Sequence, residues 1–354
     1  MTIWVVTLEP VEQRYTGEWQ AFLPHQIGDA LAAAGSPEAV QVIGGPPVGG
    51  GTTPGAFLDF AATNIFKAAQ LREFAEAFQQ GAVKPGDRFL FTDAWHFGVI
   101  AVRYMSDLLR VPVKQIGLFH AGAYDPHDFL GRVPNPEWSK QFERSIYAAL
   151  DLSCFATDFH VDLFRENLGI RTDGRILRCG WPMEYLRAVL RPYGSRPKRK
   201  LVLFPHRLAP EKQVGIFRDL AGEFPDYEFR VCQETALAKG EYHGLLGEAA
   251  LAFSASLQET LGIGLYEGLL CGARPFAPAR LSYSEMYPSE YLYPSAWTES
   301  SEAYRRHKRD LVAALGAALQ AAHDPNEQLQ LNEVARQVAR RFFSGAKLYE
   351  ALLR

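Results

Sequence analysis

The segment that decides the fold is Glu259-Thr-Leu-Gly-Ile-Gly-Leu-Tyr-Glu-Gly-Leu-Leu-Cys-Gly-Ala-Arg-Pro275. An apolar run over residues 249–256 precedes it and predicts a buried strand. Gly262 and Gly264 follow, and glycine is preferred where a chain turns tightly or another group approaches its backbone. Apolar residues then recur at helical spacing until the Gly-Ala-Arg-Pro end, which is typical of a helix terminus. The pattern predicts a strand, a glycine-bearing loop and a short helix.

A loop of this kind directs backbone N–H groups and the positive end of a helix dipole at one point, which suits a phosphate. Glu259 precedes the predicted helix, and Glu267 lies about a turn and a half inside it. Because a carboxylate repels a phosphate, we expect both glutamates to accept hydrogen bonds from hydroxyl groups. A nucleotide sugar, with hydroxyls on both sides of a diphosphate, satisfies this arrangement.

A basic loop lies about 50 residues ahead of the first glutamate. The apolar residues 201–204 predict a strand, and Arg207 and Lys212 follow it. Arginine binds two phosphate oxygens at once, whereas lysine acts as a point charge. Taken alone, such a pair is usually a solvated pair of surface cations. Its position ahead of the two glutamates favours a clamp on a diphosphate.

The two glutamates with seven residues between them, the following Cys-Gly-x-x-Pro and the basic pair resemble the donor site of retaining GT-B glycosyltransferases of the GT4-type group. The resemblance covers residues 85–354 well and residues 1–84 poorly. It implies an α/β protein with two Rossmann-like domains facing a cleft and a C-terminal helix that crosses back to the first domain. The predicted parts are an acceptor domain (residues 1–180), a linker (181–200), a nucleotide-sugar domain (201–335) and the returning helix (336–354).

The activity that the resemblance implies is transfer of a sugar from a nucleotide sugar, a UDP-sugar, to an acceptor hydroxyl with retention of configuration. It implies neither a metal nor a bound cofactor. His120 would contact the sugar near the reacting carbon, Glu259 would hold sugar hydroxyls and Glu267 the ribose. The remaining donor contacts would come from Arg207, Lys212, Thr260, Leu261 and Gly262. A sugar-nucleotide epimerase or hydrolase of the same fold, and a non-catalytic nucleotide-binding module, are the alternatives.

Polar residues also follow the predicted strands of the first domain. Ligands of nucleotide-binding α/β folds lie at the carboxyl ends of the strands. His120 follows the strand at 113–119, at the position where GT4-type proteins place a histidine near the donor sugar. The same reasoning yields candidates for acceptor contact, although each also suits a purely structural role. These candidates are Arg14, Tyr15, Gly17, Asp93 and His96.

The acceptor is the least determined part of the interpretation. The opening Glu-Pro-x-x-x-Arg-Tyr-Thr-x-x-Trp motif is weakly similar to phage glycosyltransferases that modify DNA bases, which makes a hydroxymethylated base one candidate. Two basic clusters would then contact phosphates, although a solvated hinge and a charged helix face are the more usual explanation of such clusters. They comprise Arg191, Arg196, Lys198, Arg199 and Lys200, and Arg305, Arg306, Lys308 and Arg309. Small-molecule, lipid-linked and glycan acceptors remain open. The glycine-rich residues 44–55 predict a mobile loop on the acceptor side.

Composition sets the remaining limits. A formal net charge of −3 argues against a generally basic nucleic-acid-binding chain, without excluding a local basic face. The four cysteines have no CxxC spacing, which favours buried thiols in a reducing compartment over disulfides or a zinc site. No signal peptide is recognised at the start, and no uncharged apolar run is long enough to span a membrane. We therefore expect a cytoplasmic protein.

Overall fold

The computed structural model describes residues 1–11, 14–48, 58–171 and 174–354. Most of the predicted glycine-rich loop, residues 49–55, lies outside the described residues. The chain forms two compact units. The first comprises Met1–Met183 together with Ser344–Arg354, and the second comprises Glu184–Phe343.

The first unit is built on a six-stranded sheet in which every neighbouring pair is parallel. Its strands are β1 (Thr2–Val6), β2 (Ala39–Ile43), β3 (Arg88–Phe91), β4 (Lys114–Phe119), β5 (Leu152–Phe155) and β6 (Ile176–Arg178). Its helices before the crossover are α1 (Tyr15–Ala33), α2 (Ala62–Gln79), α3 (Gly98–Leu109), α4 (Glu137–Ala149) and α5 (Asp158–Leu168). The spatial order is β2-β1-β3-β4-β5-β6. The carboxyl ends of all six strands therefore meet at one edge.

Continuous apolar strands explain why this sheet is covered on both faces. All four residues of β3 are buried, and β4 is buried from Gln115 onward. Aromatic rings fill much of the core between the sheet and its helices. Phe119 and Phe155, on adjacent strands, stack with ring centroids 4.8 Å apart, and Phe164 of α5 lies 4.9 Å from each.

The second unit contains a five-stranded parallel sheet in the order β11-β10-β9-β7-β8. Its strands are β7 (Arg199–Phe204), β8 (Glu228–Val231), β9 (Ala249–Phe253), β10 (Arg274–Pro278) and β11 (Leu292–Tyr293). Its α-helices are α6 (Tyr185–Leu190), α7 (Val214–Ala221), α8 (Lys239–Glu248), α9 (Ile263–Leu270), α10 (Tyr283–Met286), α11 (Ser301–Ala321) and α12 (Glu327–Phe342). Short 3-10 helices span Pro210–Lys212, Ser289–Tyr291 and Ser295–Trp297.

The last helix, α13 (Ala346–Leu353), belongs to the first unit rather than the second. The side-chain amide of Gln26 on α1 donates to the hydroxyl of Tyr349 at 2.9 Å. Lys114 of β4 donates to the carbonyl of Arg354 at 2.9 Å. The predicted return of the C-terminal helix to the first domain is therefore confirmed.

Three local features differ from the sequence interpretation. The predicted linker at 181–200 contains α6 and the first residues of β7, because Leu186 and Leu190 are buried. The predicted boundary at residue 336 falls inside α12. Residues 274–294, for which the sequence analysis predicts no strand, include β10 and β11, where prolines obscured the strand signal because proline is depleted in strands.

The close approach of α9 to the end of β7 gives a stability prediction. A Cβ on Gly264 would lie 2.9 Å from the carbonyl oxygen of Pro205, and this backbone has little room to move. We expect Gly264→Ala to lower the free energy of unfolding by about 1–3 kcal/mol, as overpacking does. Urea denaturation measures the change. Gly215→Ala in α7 is the matched control, because nothing lies within 4 Å of its added methyl group. Equal stability of the two variants would contradict the packing described for α9.

Candidate functional site

Two glycines shape the loop between β9 and α9 and the packing of the helix that follows. Gly262 has φ +62°, a left-handed conformation that favours glycine, and it immediately precedes the first residue of α9. An added Cβ there would also lie 2.5 Å from a ring carbon of Tyr283. Inside the helix, a Cβ on Gly268 would lie 3.1 Å from Cβ of Ala252 on β9. The glycines of this segment therefore fix the start of α9 and its close packing on the sheet.

A buried ion pair joins this loop to the loop after β7. Lys212 Nζ lies 2.7 Å from Glu259 Oε1 and also donates to the carbonyl of Gln258. Nδ1 of His206 lies 3.2 Å from the same carboxylate oxygen. The other oxygen, Oε2, accepts the backbone N–H of Gly262 at 3.2 Å. Glu259 thus connects a cation, an imidazole and the N-terminal end of α9.

The electrostatics favour an ionised carboxylate at this position. Burial raises the pKa of Glu259, but the charge of Lys212 and the hydrogen bond from His206 outweigh it, and the pKa lies well below its ordinary value. Burial lowers the pKa of Lys212, and the charge of Glu259 partly opposes that shift. Burial likewise lowers the pKa of His206 below 6.5. Since a carboxylate only accepts hydrogen bonds, the hydrogen of neutral His206 is assigned to Nδ1.

The second glutamate has a different partner. Glu267 is buried on α9, and its carboxylate accepts the hydroxyl of Tyr242 on α8 at 2.8 Å. Burial, followed by the charge of Glu267, raises the pKa of Tyr242 well above 10.0, so the phenol keeps its proton at neutral pH. Glu259 and Glu267 therefore occupy separate hydrogen-bonding environments on the same strand-loop-helix segment.

The other predicted donor residues lie around the same loops. Arg207 forms an ion pair with Glu211, one turn further along the chain. Thr260 is partly exposed and Leu261 is buried. The sequence analysis predicts that Lys212 and Arg207 together clamp a diphosphate. Lys212 is not a solvated surface cation, because its side chain is only 5% exposed and its charge is paired with Glu259.

In the first unit, His120 sits at the end of β4 with both ring nitrogens engaged. Nε2 lies 2.6 Å from the carbonyl oxygen of Thr92, so it carries the hydrogen and donates it. Nδ1 lies 2.8 Å from the hydroxyl of Tyr15, which is then the donor. The His120 ring also packs on Trp181, with centroids 4.3 Å apart, and on Trp19 at 5.3 Å.

Burial decides the protonation of this pair. It lowers the pKa of His120 from 6.5, and it raises the pKa of Tyr15 to about 12. At neutral pH the imidazole is therefore neutral and the phenol is protonated, in agreement with the hydrogen-bond directions. Arg14 is the residue before α1, and its guanidinium lies 5.6 Å from the centre of the Tyr15 ring. Gly17 lies in the first turn of the same helix and donates its N–H to the carbonyl of Arg14 at 3.2 Å.

Asp93 lies at the end of β3 beside a cation that the sequence interpretation missed. Its carboxylate accepts the backbone N–H of Trp95 at 3.0 Å and lies 3.7 Å from Nζ of Lys67 on α2. Lys67 also donates to the carbonyl of Trp95 at 2.6 Å. Asp93 and Lys67 therefore hold Trp95 from both sides of its peptide unit.

His96 has an internal role. It is only 3% exposed; Nε2 donates to Gln70 at 2.9 Å, while Nδ1 accepts the N–H of Gly98 at 2.7 Å. Gln70 in turn donates to the carbonyls of Thr7 and Ile43. The ring thus ties α2 to the start of α3, and Gln70 ties α2 to the ends of β1 and β2. Acceptor contact at His96 stays a prediction.

Most cations of the basic clusters proposed to contact DNA are engaged by backbone carbonyls or acidic side chains of the protein itself. Lys198 is the clearest case, because Nζ donates to the carbonyls of Gly247 and Cys271 at 2.8 and 2.6 Å, and burial lowers its pKa to about 8. Ion pairs are formed by Arg196 with Glu248, Arg199 with Glu228 and Glu248, Lys200 with Asp226, Arg306 with Glu302, and Lys308 with Asp219 and Glu223. Arg191, Arg305 and Arg309 are exposed.

Sequence reasoning missed His206, Tyr242 and Lys67. His206 had a local signal, since it follows the end of β7 and directly precedes Arg207. Tyr242 and Lys67 had none, because folding brings them to Glu267 and Asp93 from helices distant in sequence.

Within the described ranges, no group of three or more His, Cys, Asp or Glu side chains is placed to hold a metal ion. In the same ranges, no helix has the length and apolar character that crossing a membrane requires.

No protein-family model matches the chain, but solved structures do. An α,α-trehalose-phosphate synthase (UDP-forming) from Burkholderia vietnamiensis is 14% identical with a TM-score of 0.61, covering 99% of each chain. The catalytic domain of starch synthase IV from Arabidopsis thaliana, bound to ADP and acarbose, is 11% identical with a TM-score of 0.59, covering 99% of this chain and 98% of that one. A sucrose-phosphate synthase from Thermosynechococcus elongatus is 16% identical with a TM-score of 0.55, covering 96% and 99%.

At these identities the likeness shows the fold alone. Two parallel sheets flanked by helices, in the arrangement of these glycosyltransferases, confirm the predicted α/β GT-B fold with two Rossmann-like domains. The narrower resemblance to GT4-type enzymes and to phage DNA-modifying enzymes stays a prediction.

The buried ion pair gives the next testable prediction. Lys212→Met keeps the length of the side chain but leaves the Glu259 carboxylate buried without its cation. We expect the free energy of unfolding to fall by about 3 kcal/mol, the scale for breaking a buried pair from one side. Urea denaturation at neutral pH measures it.

Lys200→Met is the matched control, since Lys200 is 57% exposed and lies 4.0 Å from Asp226. A surface pair of this kind contributes little, so we expect a change within about 0.5 kcal/mol. If Lys212→Met were as stable as Lys200→Met, the ion pair would not be a structural constraint.

Proposed function

We propose that the protein transfers a sugar from a nucleotide sugar, a UDP-sugar, to an acceptor hydroxyl with retention of configuration. The observation that carries this proposal is the meeting of Lys212, Glu259 and the N-terminal end of α9 in one buried cluster. A cation and a helix terminus suit a diphosphate, and the carboxylate suits sugar hydroxyls. The solved structures of similar fold support the same activity, because they are named as sugar-transferring synthases and one holds ADP.

In this proposal, donor binding rearranges the ion pair. Lys212 turns from Glu259 toward the diphosphate, and Glu259 accepts hydrogen bonds from the sugar in place of the ammonium. Arg207 supplies a second cation beside the leaving diphosphate. Both charges then stabilise the negative charge that develops as the glycosidic bond breaks, which is electrostatic catalysis in a partly dehydrated site. The backbone N–H of Leu261 adds to it, as does that of Gly262 once Glu259 no longer accepts its hydrogen bond.

Glu267 is assigned to the ribose of the donor. The partner of its carboxylate is the Tyr242 hydroxyl at 2.8 Å, and a ribose hydroxyl is the same type of donor group. Tyr242 therefore either orients Glu267 toward the nucleotide or yields its place to the ribose. In both cases the nucleotide, rather than the transferred sugar, depends on Glu267.

The first unit contributes the Tyr15 and His120 pair. His120 was predicted to contact the sugar near the reacting carbon, and it remains our candidate. In the described hydrogen-bond pattern, Nε2 is committed to Thr92 and Nδ1 accepts from Tyr15. A substrate hydroxyl therefore reaches this pair either at the Tyr15 oxygen or by replacing Tyr15 at Nδ1.

The two alternative functions differ from the proposal in their products. A sugar-nucleotide epimerase or hydrolase consumes the donor without any acceptor, and a non-catalytic module binds the nucleotide without turnover. The direct test is a panel of UDP-, ADP- and GDP-sugars, scored for binding by calorimetry and for turnover with and without candidate acceptors. Acceptor-dependent release of the nucleoside diphosphate, unaffected by a chelator, supports the proposal, and an unchanged anomeric configuration in the product establishes retention.

A DNA acceptor would require cations that are available to phosphates. Most of those assigned to it are paired with carboxylates, and Lys198 is held by backbone carbonyls. Including hydroxymethylated DNA in the acceptor panel, at two salt concentrations, tests this candidate directly, because binding through phosphates weakens steeply with salt.

The donor clamp gives a binding prediction. Arg207→Gln removes a charge that binds phosphate, so we expect the affinity for the nucleoside diphosphate to fall by about 1.5–3 kcal/mol, the scale of a charged hydrogen bond. Calorimetry with UDP measures it. Arg218→Gln is the matched control, because Arg218 lies in the same unit, is 55% exposed and pairs with Glu234. Equal UDP affinity of both variants and the wild type would remove Arg207 from the donor site.

The two glutamates should separate nucleotide binding from turnover. Glu267→Gln should weaken binding of the bare nucleoside diphosphate, because this residue is assigned to ribose. Glu259→Gln should leave that binding nearly unchanged and lower turnover about a hundredfold, the scale for one contact made in the transition state. Calorimetry and steady-state kinetics provide the two measurements. The reverse pattern would mean that the donor lies in the opposite orientation.

A further inference from the structure

An aromatic cluster with exposed rings lies at the end of β3 in the first unit. Trp95 is at its centre, with ring centroids 5.0 Å from Phe142, 6.3 Å from Trp138 and 6.4 Å from Phe97. Phe97 is 43% exposed and Trp138 is 54% exposed. We call these four residues the aromatic platform. Large aromatic side chains are costly to leave in water, so a platform of this kind indicates a surface that binds something.

The local sequence explains why the rings point outward. Along Trp95-His96-Phe97, the side chains alternate, and the hydrogen bonds of His96 with Gln70 and Gly98 hold the middle residue inside the unit. Trp95 and Phe97 are thereby directed away from the sheet, toward the N-terminal half of α4, where Trp138 and Phe142 lie one turn apart. The backbone around His96 therefore fixes the position of Trp95 and Phe97 next to the end of β3.

A charged pair borders the platform. Asp93 accepts the backbone N–H of Trp95, and Lys67 donates to its carbonyl, at 3.0 and 2.6 Å. Their side chains are 21% and 15% exposed, so both are partly accessible at this strand end. The platform is thus an apolar surface with one acceptor and one donor of strong hydrogen bonds at its edge.

We propose that the aromatic platform and the adjoining Asp93–Lys67 pair form the acceptor subsite, and that the acceptor it takes is a neutral saccharide. The proposal rests on the proposed function, since it names the substrate class of the same reaction. The apolar C–H face of a pyranose ring packs on the exposed rings of Trp138 and Phe97. Its hydroxyls then donate to the Asp93 carboxylate and accept from the Lys67 ammonium.

The charged pair argues against two other ligand classes. A purely apolar ligand would cover Asp93 and Lys67 without offering either a hydrogen bond, and dehydrating charges in this way is costly. A phosphate-rich ligand would face the Asp93 carboxylate at the same edge. A sugar satisfies both surfaces at once, because ligand sites combine an aromatic lining with a few well-placed polar groups.

The test is a titration of the full-length protein, without nucleotide, with methyl α-D-glucopyranoside, maltose and maltotriose, followed by intrinsic tryptophan fluorescence. We expect the emission to change with saturation for at least one saccharide. Trp138→Ala should weaken that binding by about threefold to tenfold, the range given by one aromatic contact. Asp93→Asn should weaken it by a similar factor, because the amide keeps an acceptor for the Trp95 N–H but loses the charge.

Tyr104→Ala is the matched control, because Tyr104 is a 65% exposed aromatic residue on α3 outside the platform. It should bind the saccharides as the wild type does. Saturable binding that Trp138→Ala and Tyr104→Ala weaken equally would overturn the proposal, as would the absence of saturable binding for every saccharide tested. UDP affinity, measured separately by calorimetry, reports on the donor site. Loss of saccharide binding with intact UDP binding would therefore reject the acceptor subsite and leave the donor assignment standing.

Discussion

The second unit depends on one buried contact between opposite charges. Lys212 comes from the loop after β7 and Glu259 from the loop after β9, and these two strands are neighbours in the sheet. The ammonium also binds the Gln258 carbonyl, and the carboxylate binds the N–H of Gly262, the residue before α9. Because a buried charge is tolerated only with a partner, each residue fixes the loop of the other. The position of the α9 terminus follows from this pairing.

The Lys212–Glu259 contact serves both the stability of the second unit and the proposed binding of the donor. Lys212 already lies, charged, in the loop where the donor is proposed to bind, so it needs only to exchange Glu259 for the diphosphate. His206 shares the carboxylate and is neutral, because burial lowers its pKa below 6.5. The site therefore carries a defined charge near neutral pH. In the first unit, hydrogen bonds rather than an ion pair fix the candidate residue: His120 is held between Thr92 and Tyr15.

Charge elsewhere on the protein is mostly compensated locally. The clusters after α6 and on α11 are basic when counted along the chain, yet Arg196, Arg199 and Lys308 each face carboxylates from other elements. Counting charges in sequence overestimates such a surface, because the acidic partners Glu248 and Asp219 lie far away in the chain. The aromatic platform is a surface that counting along the chain misses. Its residues come from α4 and the β3–α3 loop, and no linear motif predicts that they meet.

From the sequence by itself, local signals predicted the strand-loop-helix around Gly262, namely apolar periodicity and the positions of the glycines. The two-domain fold and the return of the last helix followed from the resemblance of that segment and the basic pair to GT-B glycosyltransferases. Only the tertiary structure decided which side chains meet: Lys212 with Glu259, Tyr242 with Glu267, and Lys67 with Asp93. It also decided that His96 faces inward while His120 contacts Tyr15, although both histidines follow strands. The physical reason is that burial and hydrogen-bond partners depend on neighbouring strands and helices, whose distance in sequence carries no information about their contact.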